Sequence, residues 1–145
     1  MMRPIGDREF SWSEGVVRRS IYIDEFSHQS PIPNAARIGN VVVSGLIRGV
    51  DPKTHVLPPS VEQQCAFMFA HLRRTAEAGG ARIDDIIKVT FWMRELQREP
   101  VNNEWVRMFP DPQSRPARQI MVAPMEPGVL VQCDFMAVIE EGRRP

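Results

Sequence analysis

The sequence predicts an α+β domain in which two helices cover one face of a mixed sheet. Three observations lead there. Several tracts alternate at period two, as Ile87, Val89, Phe91 and Met93 do against Lys88, Thr90 and Trp92. One stretch carries an apolar stripe at helical spacing, formed by Cys65, Met68, Phe69, Leu72 and Ala76. A shorter helical pattern, with Val101, Trp105 and Met108 on one side, falls between two strand tracts and gives the order ββαβαββ.

Residues 1–15 read as a loose arm ahead of a single domain over 16–145. Residues 16–23 (VVRRSIYI) alternate well enough for a short strand. In the loop 27–34, Pro31 and Pro33 forbid a central strand because they lack the ladder donor. Residues 36–49 read as a strand pair or one bent strand, turning at Gly39-Asn40 before the β-branched run Val41, Val42 and Val43. Residues 51–59 hold three prolines and form a loop. Pro58 and Pro59 block any earlier helix, Ser60 with Gln63 makes a capping pattern, and Gly79-Gly80 ends the helix.

A strand over 85–96 follows, then the short helix over 100–109, broken by Asp111-Pro112. Strands over 117–123 and 129–140 are joined by a turn at 124–128. In the last strand Val131, Cys133, Phe135, Ala137 and Ile139 point one way, and Gln132, Asp134 and Met136 the other. Two helices leave the second sheet face uncovered. That face is expected to keep Trp92, Ile120 and Met136, and to pack on another copy of the chain.

Eighteen basic residues balance eighteen acidic ones, so no overall field favours nucleic acid or an anionic membrane. Lys53 and Lys88 are the only lysines, which makes any single arginine weak evidence by itself. Cys65 and Cys133 belong to no ligand motif and read as reduced core thiols. His28, His55 and His71 share no metal-ligand spacing and read as surface or loop residues, so neither metal nor cofactor is expected. The polar start fits no signal peptide, and no apolar run approaches the roughly 20 residues of a membrane span; a cytoplasmic protein is expected.

Four segments resemble the RidA/YjgF family of reactive-intermediate deaminases, once called translation-inhibitor proteins. Gly39-Asn40, a valine run and Ser44-Gly45 are similar to the family's early strand. LRRTAEAGGARIDDIIK from Leu72 resembles its helix, glycine turn and following strand; VNNEWVRMF from Val101 resembles its short helix. RPAR, ending at Arg118, and LVQCDFMA from Leu130 resemble its PAR signature and terminal strand. The resemblance runs from about Pro31 to Ile139. It implies a chorismate-mutase-like fold and a homotrimer with ligand clefts between subunits. The implied chemistry is hydrolysis of an unstable 2-imino or 2-enamino acid to a 2-keto acid and ammonia.

Carried onto these positions, the resemblance makes Arg118 the anchor of a small carboxylated metabolite, since a guanidinium fork binds a carboxylate bidentately. A strand arginine paired with Asp134 or Glu126 is the alternative. Gln132 stands where many members carry a water-orienting glutamate; an amide can bond a water but cannot take its proton. Asp134 could substitute for it or serve as a structural contact, and a backbone carbonyl near Ile120 could orient the water. Ile120 falls where deaminases often carry cysteine, and Ile32 near the cleft tyrosine, which together imply a more apolar pocket. Asn102, Trp105 and Ser44 are ligand contacts by the resemblance, or a helix-start residue, a core residue and a turn residue by their local context. Deamination is the expected activity, and non-catalytic binding of carboxylated metabolites is the alternative. Balanced charge and the lack of a stacking platform argue against RNA cleavage.

Overall fold

The computed structural model describes residues 17–26 and 30–140, so the arm expected at 1–15 and His28 lie outside the described residues. The elements in chain order are β1 (Arg19–Ile21), a 3-10 turn (Asp24–Phe26), β2 (Ala35–Ile38), β3 (Val41–Ser44), β4 (Ile47–Arg48) and α1 (Val61–Ala78). A second 3-10 turn (Ile83–Asp85), β5 (Ile86–Met93), α2 (Arg98–Met108), β6 (Ala117–Val122) and β7 (Val131–Val138) complete them. The strands form one sheet in the order β1-β2-β3-β7-β5-β6, with β4 also paired to β7. The one parallel pair in it, β5 with β6, is the pair that α2 connects, because parallel neighbours need a crossover.

The order ββαβαββ holds once the first two β segments are resolved. The tract over 36–49 divides into β2, β3 and β4, turning at Gly39, whose φ of +57° suits glycine. The first strand is shorter than its alternation suggested. The last two strands do not form a hairpin: β7 enters between β3 and β5, and β6 lies at the sheet edge.

Helix α1 starts where the prolines end, and Ser60 Oγ accepts a hydrogen bond from the Gln63 amide at 3.2 Å. Its stripe of Cys65, Met68, Phe69, Leu72 and Ala76 is fully buried against the sheet. Burial extends beyond the stripe. Gln64 is also fully buried, donating to Pro58 O and Gly128 O and accepting from the Leu130 amide, so it ties the helix to two loops. His71 is buried too, against the surface position expected for it: its Nε2 lies 2.7 Å from Val50 O, and its ring stacks on Phe67 and meets Phe26 at a tilt. At Gly49 a Cβ would fall 2.0 Å from the Gln64 carbonyl oxygen, so the chain after β4 touches the helix backbone.

Two facing assignments change. A register shift between Ile86 and Lys88 turns Ile86 into the core and leaves Ile87 exposed, a bulge that period-two counting does not foresee. Ile120 pairs with Phe91 in the parallel ladder and packs against the core, so it lies on the helix side and not on the open face. Helix α2 begins two residues before Pro100, because the first turn needs no donor from a proline.

The β7 alternation is as expected, with Val131, Cys133, Phe135 and Ala137 buried and Gln132, Asp134 and Met136 on the open face. That face carries an apolar cluster set by register: Ile38 opposite Val41, Val41 opposite Val138, and Val43 opposite Met136, all exposed in the single chain. Both cysteines are free and buried.

Candidate active site

The site grows from the edge of the sheet. Arg118 is the second residue of β6, and register sets it opposite Val89, with its side chain on the helix-covered side. There the guanidinium lies over Trp105 of α2, 5.0 Å from the ring centroid, and 6.0 Å from that of Phe91 on β5. Its Nη2 donates to Asn102 Oδ1, one turn before Trp105 on the same helix. Arg118, Asn102, Trp105 and Ile120 are thus brought together by one strand and its crossover helix.

The electrostatics of this cluster are one-sided. No carboxylate of the described residues lies within ion-pair distance of Arg118; Asp134 takes the Trp92 indole N–H at 2.8 Å, and Glu126 lies 3.7 Å from Arg48. Nη1 of Arg118 is shielded from solvent and has no hydrogen-bond partner. Burial lowers the pKa of the guanidinium, and the charge of Arg98 pushes it the same way. Arginine still stays protonated at neutral pH, so a cation with an unsatisfied donor sits at an apolar wall. Such a group favours an anion that can supply the missing acceptor.

The remaining predicted site residues stand elsewhere. Gln132 and Asp134 project from the opposite face of the sheet, which alternation along β7 requires once Cys133 is in the core. Ser44 shares a row with Arg118 through Phe135 and Val89, but β7 and β5 intervene, a span of about 14 Å at ordinary strand spacing. Its hydroxyl accepts from the Phe135 amide and donates to Gly45 O, so turn bonding accounts for it locally. Ile32 lies in the loop before β2 and is 50% exposed. The Gly45 amide donates to Asn34 O at 2.9 Å, which holds the loops carrying Ile32 and Leu46 side by side. One chain therefore presents two separate groups: Arg118, Asn102, Trp105 and Ile120 at the β6 edge, and Ile32, Ser44 and Leu46 toward the β1–β2 side.

Three residues enter that the sequence reading passed over. Arg98 precedes Asn102 by one helical turn, a spacing legible in the sequence once α2 is known to begin there. Val122, on the Arg118 face of β6, is 59% exposed, and Leu46 is 51% exposed. A cavity of about 280 Å³ lined by Phe26, Arg48, Val50, His55 and His71 does not include Arg118. The cavity's buried histidine is already engaged by Val50 O.

Against this geometry, the family model described as endoribonuclease L-PSP matches residues 14–139. The chain belongs to the RidA/YjgF family. A RutC family protein of Pyrococcus abyssi is 27% identical over 114 residues, covering 76% of this chain and 87% of that protein. The 2-iminobutanoate/2-iminopropanoate deaminase of Escherichia coli K12 is 26% identical over 111 residues, covering 74% and 87%. Among solved structures, a Thermotoga maritima protein superposes with a TM-score of 0.76 at 26% identity, covering 84% of this chain and 98% of that one. The YjgF gene product of Escherichia coli does so at 0.75 and 24%, covering 84% and 99%. The mixed sheet with two helices is the RidA/YjgF fold. Among the described residues no helix is long and apolar enough to cross a membrane, and no group of three or more acidic, cysteine or histidine side chains is placed to hold a metal ion.

Proposed function

We propose that the chain hydrolyses 2-imino or 2-enamino acids to 2-keto acids and ammonia, in clefts between the subunits of a homotrimer. Arg118 carries the reading: a half-buried guanidinium on Trp105, with no carboxylate partner among the described residues and a shielded Nη1 that lacks an acceptor. The substrate carboxylate supplies that acceptor, and its capture fixes the position of the imine carbon. For an already reactive imine, positioning is most of what catalysis requires.

The reaction balances without a cofactor. Water adds its oxygen to the C=N carbon while the π pair moves to nitrogen and a water proton follows it. The C–N bond of the resulting carbinolamine then breaks, ammonia leaves, and loss of the hydroxyl proton gives the ketone. Gln132 can hold the water through its amide oxygen but takes no proton at neutral pH, so the substrate nitrogen is the proton acceptor. Strand β6 ends the sheet, and its outer backbone groups lack ladder partners, which suits the carbonyls around Ile120 to orienting that water.

Assembly follows from separation. Gln132 and the Ile32 and Ser44 loops cannot meet Arg118 within one chain, whereas the cleft between two copies unites them. The exposed apolar cluster of Ile38, Val41, Val43, Met136 and Val138 suits burial between subunits.

A second reading, binding of carboxylated metabolites without turnover, is favoured by the glutamine at position 132 and by the lack of an acid partner for Arg118 among the described residues. Nuclease action is not favoured, since eighteen acidic residues cancel eighteen basic ones. The deciding experiment generates an imino acid in situ with an amino-acid oxidase and follows its loss by absorbance. Acceleration by the protein but not by Arg118→Ala supports deamination. Tight calorimetric binding of 2-keto acids without acceleration supports the second reading.

A further inference from the structure

Resting on Arg118 as the carboxylate anchor, we infer that the site selects 2-imino acids with a branched aliphatic or aromatic side chain over small ones. The direction of the guanidinium is the first observation. Arg118 is paired with Val89, yet its guanidinium stands 6.0 Å from the ring of Phe91, the register partner of Ile120. The side chain therefore leans forward along β6, toward Ile120 and then Val122 on the same face.

What borders the anchor in that direction is aliphatic. Ile120 is half-buried and Val122 is 59% exposed, so each presents hydrocarbon to whatever lies on the guanidinium. The polar groups nearby are donors or cations: Arg98, Arg118 and the amide nitrogen of Asn102, whose oxygen is taken by Arg118.

The other group repeats the pattern. Ile32 and Leu46 are both about half exposed on loops held together by the Gly45 to Asn34 hydrogen bond. The nearby Ser44 hydroxyl is committed to Phe135 and Gly45. When two copies close a cleft from these groups, an anion site on one wall faces aliphatic side chains on both. A bulky apolar side chain fills that space and removes Ile32, Leu46, Ile120 and Val122 from water.

The test compares imino acids generated by an amino-acid oxidase from leucine, phenylalanine and alanine, each corrected for its spontaneous hydrolysis. Leucine- and phenylalanine-derived imines are expected to show at least about tenfold higher kcat/KM than the alanine-derived one. Ile120→Ser and Leu46→Ser, one from each wall, are each expected to lower the leucine-to-alanine ratio several-fold. Circular dichroism and oligomeric mass would verify that both variants fold and assemble. Equal or greater efficiency on the alanine-derived imine overturns the selectivity while leaving deamination intact, as does a ratio that neither variant moves. No acceleration of any imino acid removes the deaminase reading itself, and the selectivity with it.

Discussion

Replacing Arg118 separates a ligand anchor from a structural arginine, because the two roles move activity and stability differently. A hydrogen bond to a charged group is worth about 1.5–3 kcal/mol. Losing a two-point grip on the substrate carboxylate thus costs Arg118→Ala at least about 3 kcal/mol, or about 100-fold in kcat/KM. Arg118→Lys keeps the charge but not the planar fork and should lose about tenfold. Stability should barely move. Truncation gives up the bond to Asn102 and the contact with Trp105, together about 2–4 kcal/mol. It also relieves the shielded, unpartnered Nη1, worth a comparable amount in the opposite direction. The net change is therefore within about 1 kcal/mol. The assay pairs oxidase-coupled imine decay with urea unfolding of the same preparations. Unchanged activity, or a stability loss above about 3 kcal/mol, would refute the anchor role.

Further outcomes follow from other parts of the molecule. Gln132→Glu supplies a proton acceptor and should raise kcat several-fold, with a new acid limb in the pH–rate profile; a flat profile and unchanged kcat would separate this position from the water. Val43→Asp, opposite Met136 on the exposed apolar face, should shift the assembly to monomer by light scattering and abolish activity at a site far from its own position. Gly49→Ala drives a methyl group into the Gln64 carbonyl and should destabilise the chain by about 3 kcal/mol in urea unfolding; a cost below about 0.5 kcal/mol would contradict that close approach. Burial raises both thiols, Cys65 to about 12 and Cys133 well above its ordinary 9.0. The folded chain then keeps protons that the unfolded chain releases, so this stability is complete below about pH 9 and declines as pH rises from 9 toward 12. Urea midpoints at pH 8 and pH 10 measure the decline, and Ellman's reagent should find both thiols unreactive until denaturant is added.

Much of the fold was legible because local rules decide it. Pro58, Pro59, Ser60 and Gly79-Gly80 bound α1, and its stripe lies in the core as spacing required. The alternation of β7 placed Cys133 inside and Gln132 outside for the same reason. Where a long-range partner decides, local pattern failed. The Ile86/Lys88 bulge exists to satisfy pairing with β7, and the facing of Ile120 is set by its parallel partner Phe91. His71 looks polar and exposed in sequence, but a carbonyl from the β4–α1 loop and two phenylalanines give it a buried place.

The sequence by itself determined the element order, the limits of α1 and the family, and it singled out Arg118 as the proposed anchor, since each depends on residue type at short spacing. Tertiary structure alone decided that Arg118 stands on Trp105 with a shielded donor and, among the described residues, no acid partner, on the sheet face opposite Gln132. Those facts depend on strand order and crossover, which join residues remote in sequence. A site divided between two faces of one sheet is an arrangement that spacing along a chain cannot express.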